Sequence, residues 1–237
     1  MAVPWLSVVI PALDEEDRVA EAVRSVRGEA EVIVVDGGSA DGTRAAAAAA
    51  GAQVMASERG RGLQLGEGAR AARGQWLVFL HADTRLEPGW AAALRCLPAP
   101  VVGGAFRFAL DGPGRAYRWL EKGVALRCRL FRLPYGDQAI FARRAAYEEV
   151  GGFRPLPLME DVDFVRRLRR AGPLAFPRLR AFTSARRFEG RGTAAASLRN
   201  LGLLALYTAG CDPRRLARFY PPRLTASNAA GSNSGLA

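Results

Sequence analysis

Through the first half of the chain, short continuous apolar runs alternate with stretches in which apolar residues return every three or four positions. The runs are "WLSVVI" (5–10), "EVIVVD" (31–36), "AQVMAS" (52–57) and "QWLVFLHAD" (75–83). Each predicts a β-strand, and a continuous rather than alternating run means that both faces of the strand are covered. Between them, "DEEDRVAEAVRSVRG" (14–28) predicts a helix with Val19, Val23 and Val26 on one side and Gly28 as its stop. "SADGTRAAAAAAG" (39–51) and "GLQLGEGARAARG" (62–74) predict two more helices. A βα series of this kind folds as a mostly parallel sheet flanked by helices, the doubly wound α/β class.

The second half is less regular. It predicts a helix at 87–97, a strand over "VVGGAFRFAL" (101–110), a long helix at about 115–132 and a short strand near "QAIFA" (138–142). A helix starting at "MEDVDFVRRLRRAG" (159–172), a strand near 174–183 and a helical region at 193–219 follow. The end, "TASNAAGSNSGLA" (225–237), is small and polar and reads as a tail. No repeat or linker interrupts the pattern, so one domain over 1–220 and a tail over 221–237 are expected.

Length agrees, since 237 residues suit one substantial core. Three cysteines, Cys96, Cys128 and Cys211, are too few and too far apart for a disulfide framework or a zinc knuckle. The first residues lack a basic leader pattern, and no apolar run is long enough to span a bilayer, so a cytoplasmic protein is expected. Charge adds an asymmetry. Residues 1–100 carry 10 basic groups and 13 acids, whereas residues 101–237 carry 24 basic groups and 10 acids. The basic half is where an anionic partner would dock, and peripheral contact with the inner face of a membrane is one such docking. Its clearest segment is the helix at 115–132, with Arg115, Arg118, Lys122, Arg129 and Arg132 on one arc and Tyr117, Leu120, Val124 and Phe131 opposite. An arginine bias spread over the whole chain is weak support for nucleic acid, and no nucleic-acid partner is expected.

In open parallel sheets, ligands bind outside the carboxyl ends of the strands. Those ends are polar here. The first strand runs into Asp14 and Glu15, the second into Asp36 before Gly37 and Gly38, and the fourth into His81 and Asp83. An Asx turn explains Asp36 as well as a ligand does, and a strand-end cap explains Asp83. "DGGSADG" follows the second strand and is not the dinucleotide-binding glycine pattern, which disfavours hydride transfer. One carboxylate with open positions suits Mg²⁺ or Mn²⁺ in phosphate chemistry. In "MEDVDF", Glu160 and Asp163 read as acids favoured in a first helical turn, whereas Asp161 shares a face with Phe164, Val165 and Leu168. An inward carboxylate must line a cleft or find a partner, and it makes a general base. Arg59 and Arg61 sit among glycines where a pyrophosphate would be met, and Asp137 and Gln138 precede a strand.

Taken in order, "SVVIPALDEED", "VIVVDGGSADGT", "FLHADT" and "MEDVDF" resemble the motif series of the family 2 glycosyltransferases, which have the nucleotide-binding GT-A fold. With "GRGLQLGEGA", "LPYGDQAIF" and "LPLMEDVDF", the nearest likeness is to the radical-SAM/selenodomain-associated transferase 2 subgroup, from about Ser7 to Phe219. That resemblance implies an inverting, metal-assisted sugar transfer from a nucleotide sugar, UDP- or GDP-linked, to an acceptor hydroxyl that includes lipid-linked ones. It implies donor contacts from Pro11, Ala12, Asp14, Glu15, Asp36, Gly38, Arg61, Gln64, Ala82 and Asp83. It further implies Mg²⁺ or Mn²⁺ at Asp83 with His81, Asp161 as base with Glu160 beside it, and an acceptor region at Gly104, Asp137 and Gln138. Two positions depart from the family pattern: Asp14 stands where asparagine is common, and His81 takes the first place of the D-x-D motif. A sugar nucleotidyltransferase and a non-catalytic nucleotide-binding protein are the competing readings.

Overall fold

A computed structural model describes residues 4–187 and 193–219. Its centre is a seven-stranded sheet in the order β3-β2-β1-β4-β8-β6-β9. β1 (Leu6–Ala12), β2 (Glu31–Asp36), β3 (Gln53–Ala56) and β4 (Trp76–Phe79) are the four strands anticipated in the first half, and they run parallel. β8 (Ile140–Arg143) is antiparallel to both β4 and β6 (Gly103–Ala105), and β9 (Leu174–Ala175) closes the edge parallel to β6.

Period-two alternation divides the buried side chains between two layers. Val8, Ile10, Val34 and Val78 pack against α1 (Val19–Val26), α2 (Thr43–Ala49) and α4 (Trp90–Arg95). Val9, Ile33, Val35, Leu77 and Phe79 pack against α3 (Arg61–Ala71), α6 (Arg144–Glu149) and α7 (Glu160–Ala171). A central strand covered on both faces needs apolar residues at consecutive positions, which is why β1 reads as an unbroken run.

A second, three-stranded sheet departs from expectation. β5 (Thr84–Leu86), β10 (Arg180–Ser184) and β7 (Arg107–Asp111) form it in the order β5-β10-β7. The run 101–110 is therefore two strands in two sheets: the N–H of Phe106 leaves the ladder to bond the Gln138 carbonyl at 2.9 Å. The stretch 174–183 likewise splits into β9 and β10, with Pro177, which has no N–H to give a ladder, between them. Because β4 feeds directly into β5, His81 and Asp83 lie in the turn that joins the two sheets.

Helix α1 begins at Val19 rather than at residue 14. The preceding loop is held instead by the α2 approach: Asp14 N–H donates to Ser39 Oγ, Glu15 N–H to Thr43 Oγ1 and Glu16 N–H to Asp41. Asp14 has φ +52°, a left-handed conformation that Asn and Asp tolerate best, and this explains why either residue serves there. Helix α5 (Arg115–Phe131) packs Tyr117, Leu120 and Val124 onto Phe108, Leu110 and Ala185. Phe131, expected on that packed side, is exposed, as are Trp119, Leu126 and Leu130. Helices α8 (Thr193–Thr208) and α9 (Pro213–Ala217) complete the described chain, and the expected tail at 221–237 lies outside it. No helix among the described residues is long and apolar enough to cross a membrane.

Candidate active site

Four strand ends and one helix start converge on a single rim. β1 delivers the loop with Asp14 and Glu15, β2 delivers Asp36, β4 delivers His81 to Asp83, β10 delivers Ser184 to Arg186, and α7 delivers Glu160 and Asp161.

Asp36 is fully buried and accepts from Gly38 N–H at 3.1 Å, Ser39 N–H at 3.2 Å and Arg44 Nε at 2.6 Å, and from the Ser39 hydroxyl. Burial pushes its carboxyl upward, but the hydrogen bonds of Ser39, Arg44 and Gly38 outweigh that and hold it below the ordinary carboxylate range. These bonds describe the turn reading of Asp36: it shapes the chain that follows β2. Gly38 follows with φ +89°.

Gln64 has a structural task through its amide nitrogen. Its amide nitrogen donates to the carbonyls of Ala12 at 2.9 Å and Val35 at 2.8 Å, clamping the ends of β1 and β2. Gln138 is likewise consumed: its nitrogen bonds the Phe106 carbonyl at 3.1 Å and its oxygen accepts from Tyr135 N–H and Arg127. Gly104 lies inside the sheet, where a Cβ would collide with the Ala175 carbonyl oxygen, so packing rather than an acceptor demands glycine. The third residue of the expected acceptor region, Asp137, is tied to β10, its carbonyl accepting from Thr183 Oγ1 at 3.0 Å.

The start of α7 reverses another expectation. Met159 takes a left-handed φ of +65°, and this turns Glu160, not Asp161, fully inward. Glu160 pairs there with Arg61 at the start of α3, so that Arg61 is engaged by a carboxylate where a pyrophosphate contact was expected. Burial pushes the Glu160 carboxyl upward, with Arg61 opposing and Asp161 adding to the shift. Asp163 is buried too, against Arg167 at 2.6 Å and Arg154 at 3.4 Å. Asp161 is only half-buried. Its Oδ2 accepts the Gly136 N–H at 2.7 Å. A Cβ at Gly136 would stand 2.7 Å from His81 Nε2 and 3.3 Å from Asp161 Oδ2, so these two side chains border the same point.

Asp83 occupies the sheet junction with its side chain 4% exposed. Ala82 is buried beside it, and the Asp83 carbonyl accepts Ser184 N–H at 3.0 Å, which ties β10 to this turn. Two residues on, Arg186 Nη2 reaches Glu15 Oε2 at 2.5 Å and Asp83 Oδ2 at 3.7 Å. Arg186 is missing from the sequence reading: it is one of 33 arginines, and nothing in "TSARRFEG" marks it apart from its position after a strand. No group of three or more His, Cys, Asp or Glu side chains among the described residues encloses a cation. Asp83 alone fits the other mode, in which a divalent ion is held by one carboxylate together with phosphate oxygens and water. A cleft of about 410 Å³ elsewhere, lined by Gly62, Gly66, Arg70, Tyr147 and Phe153, includes neither Asp83 nor Asp161.

Comparison with known proteins bears on the fold and on the first part of the chain. Residues 7–95 match the Glycosyl transferase family 2 model. A glucosyl-3-phosphoglycerate synthase of Mycolicibacterium paratuberculosis is 38% identical over a stretch covering 33% of this chain and 28% of that protein. The chain thus matches little more than a quarter of that relative's length. Among solved structures, glucosyl-3-phosphoglycerate synthase from Mycobacterium tuberculosis in complex with Mn²⁺, UDP and phosphoglyceric acid superposes with a TM-score of 0.62 at 21% identity, over 87% of this chain and 79% of that one. A mycobacterial protein superposes with a TM-score of 0.54 at 27% identity, over 76% and 65%. The fold of this chain is therefore the GT-A fold, and within it residues 7–95 match the Glycosyl transferase family 2 model.

Proposed function

We propose that this chain is an inverting glycosyltransferase that moves a sugar from a nucleoside-diphosphate donor to an acceptor hydroxyl, with Asp161 as the general base. One observation carries the reading: Asp161, half-exposed and oriented by the Gly136 N–H, stands beside His81 at the rim that also holds Asp83 and Asp36. A carboxylate fixed by a backbone donor yet open to the cleft is suited to take a proton from an acceptor hydroxyl.

Asp83 would hold Mg²⁺ or Mn²⁺ together with the donor diphosphate. Such an ion supplies charge neutralisation for the departing diphosphate. The protein's own part is positional. The Asp14–Glu15 loop and the Asp36 turn form the nucleoside side, Gln64 keeps the two strand ends together, and Glu160 with Arg61 fixes the first turn of α7 so that Asp161 faces the sugar. Proton removal on the face opposite the leaving group gives single displacement with inversion. Glu160, buried and ion-paired, is a positioning residue rather than a second base.

The M. tuberculosis structures supply UDP as the first donor nucleotide to test. The acceptor is open; an acceptor at a lipid surface is supported by the exposed apolar stripe of α5 between basic residues. The motif likeness supports placing the chain in the radical-SAM/selenodomain-associated transferase 2 subgroup, in the cytoplasm. A nucleotidyltransferase is disfavoured because "PALDEED" forms a loop bonded to residues 39–43 rather than a glycine-rich phosphate loop.

The test is a panel of nucleotide sugars with Mn²⁺, read by release of the nucleoside diphosphate with and without chelator. Chelator-sensitive release by the parent, lost in Asp161→Asn while nucleotide binding persists, is expected. Release by Asp161→Asn at the parent rate would remove Asp161 from its role, and absence of any donor turnover or binding would remove the enzyme reading.

A further inference from the structure

Glu15 and Asp83 reach the rim from different strands, and both carboxylates are almost completely buried, with side chains 2% and 4% exposed. Two carboxylates drawn out of water beside one another repel and resist ionisation unless a cation stands with them. Among the described residues Arg186 Nη2 stands with both, at 2.5 Å from one and 3.7 Å from the other. The backbone brings Arg186 to this turn, because Ser184 N–H is bonded to the Asp83 carbonyl and Arg186 follows two residues later. Arg85, two residues after Asp83, is engaged by Glu21 and Asp111 at 3.1 Å each.

The contact with Asp83 is the looser one. At 3.7 Å it lies beyond hydrogen-bond length, and the guanidinium is 41% exposed, so it has room to turn towards the cleft while Glu15 holds it. An anion arriving at the rim would find a planar donor set already aimed at it.

We propose that Arg186 is the resident counter-cation of the site, neutralising Asp83 in the free protein and surrendering it to a divalent ion only when a nucleoside diphosphate arrives to take up the guanidinium. The inference rests on the nucleotide-sugar reading above. It has a consequence that reading lacks: the ion and the nucleotide bind as a coupled pair, each weak without the other. Coupling of this kind is reciprocal and measurable as a change in affinity. Burial works against the Arg186 charge, but the Glu15 hydrogen bond and the charges of Glu15, Asp83 and Asp17 outweigh it, so the guanidinium stays protonated throughout.

The experiment is Mn²⁺ titration of the full chain, followed by electron paramagnetic resonance, with and without UDP. The parent is expected to bind Mn²⁺ weakly alone and at least about tenfold more tightly with UDP. Arg186→Gln is expected to bind Mn²⁺ alone about tenfold more tightly than the parent, and to bind UDP more weakly. Adding Asp83→Asn to Arg186→Gln removes the gained Mn²⁺ affinity. Arg186→Lys keeps the charge and the fold, and stays near the parent in the absence of UDP. Equal Mn²⁺ affinity for parent and Arg186→Gln overturns the proposal, as does a tightened Mn²⁺ affinity in Arg186→Lys. If neither protein binds UDP, the donor reading fails by itself, while the Mn²⁺ comparison without nucleotide still decides the role of Arg186.

Discussion

Gly136 donates its backbone N–H to Asp161 Oδ2 at 2.7 Å, and the missing side chain of that glycine leaves the space that His81 Nε2 and Asp161 share. A turn from the approach to β8 is thereby the element that aims a carboxylate on α7. Orientation by a backbone donor costs no side-chain entropy, which suits a group that must hold one geometry.

Gly136→Ala tests this directly. Its new methyl would stand 2.7 Å from His81 Nε2, a separation that forces either the imidazole or the turn to move. We expect a stability loss of about 1–3 kcal/mol, and a fall in kcat well beyond any change in nucleotide affinity. Thermal unfolding measures the first and steady-state kinetics the second. Unchanged kcat in a folded Gly136→Ala protein would sever the turn from the function of Asp161.

What the sequence showed of this arrangement follows from where the strong signals lie. Buried parallel strands announce themselves as apolar runs, so Asp36 and Asp83 were visible as carboxylates at strand ends. β5 has three residues and α6 has six, too few for any period to register. The runs 101–110 and 174–183 were each read as one strand, because apolar character says nothing about a chain passing from one sheet to another. The structural bonds of Gln64 and Gln138 are hidden for a related reason: a neutral amide that ties backbone groups together has the same sequence appearance as one that meets a ligand. Arg186 was invisible because it is one arginine among many. Its meaning comes from the β10 register, which only the folded chain supplies.

The pair of Glu160 and Arg61 joins α7 to α3 beneath the site. Arg61→Ala would leave a buried carboxylate without its cation, a change that costs about 3 kcal/mol. The effect has a pH signature. Burial already holds the Glu160 carboxyl above its ordinary value, and loss of Arg61 raises it further. A raised carboxyl costs stability in full above its folded pKa, and that cost fades as the pH falls from there towards the unfolded value. The deficit of Arg61→Ala relative to the parent should therefore shrink as the pH is lowered from 8 towards 5. A deficit that is constant over this range would mean that Glu160 has the same protonation in parent and variant, and Arg61 would lose its role as the charge that keeps it ionised.

Asp36 gives the opposite sign. Its carboxyl is held below the ordinary value of 3.8, so its charged form stabilises the fold at neutral pH and that contribution disappears as pH falls through the lowered folded value. Asp36→Asn removes the contribution at all pH values. Denaturant unfolding of parent and variant should show a stability gap that is full at pH 6 and narrows below pH 4. A gap that widens in acid would contradict the assignment of Asp36 as an ionised anchor of the turn.

The outward stripe of α5 offers the last test. Trp119, Leu126 and Leu130, at 72%, 56% and 63% exposure, recur at intervals of seven and four and so lie along one line of the helix. Lys122 and Arg129 run beside them, and Lys122 sits 5.0 Å from the Trp119 ring. An apolar stripe edged with cations matches an anionic bilayer, where each basic group near the surface contributes about 1 kcal/mol and the apolar side chains enter the interface. We expect the parent to sediment with phosphatidylglycerol vesicles and not with phosphatidylcholine alone. Raised salt should weaken the association, and replacing the three apolar residues with serine should reduce it by about tenfold or more. Sedimentation velocity on the same proteins separates the alternative: if the parent is a dimer that the serine variant converts to monomer, and no vesicle binding occurs, the stripe covers a second copy of this chain and the membrane reading falls.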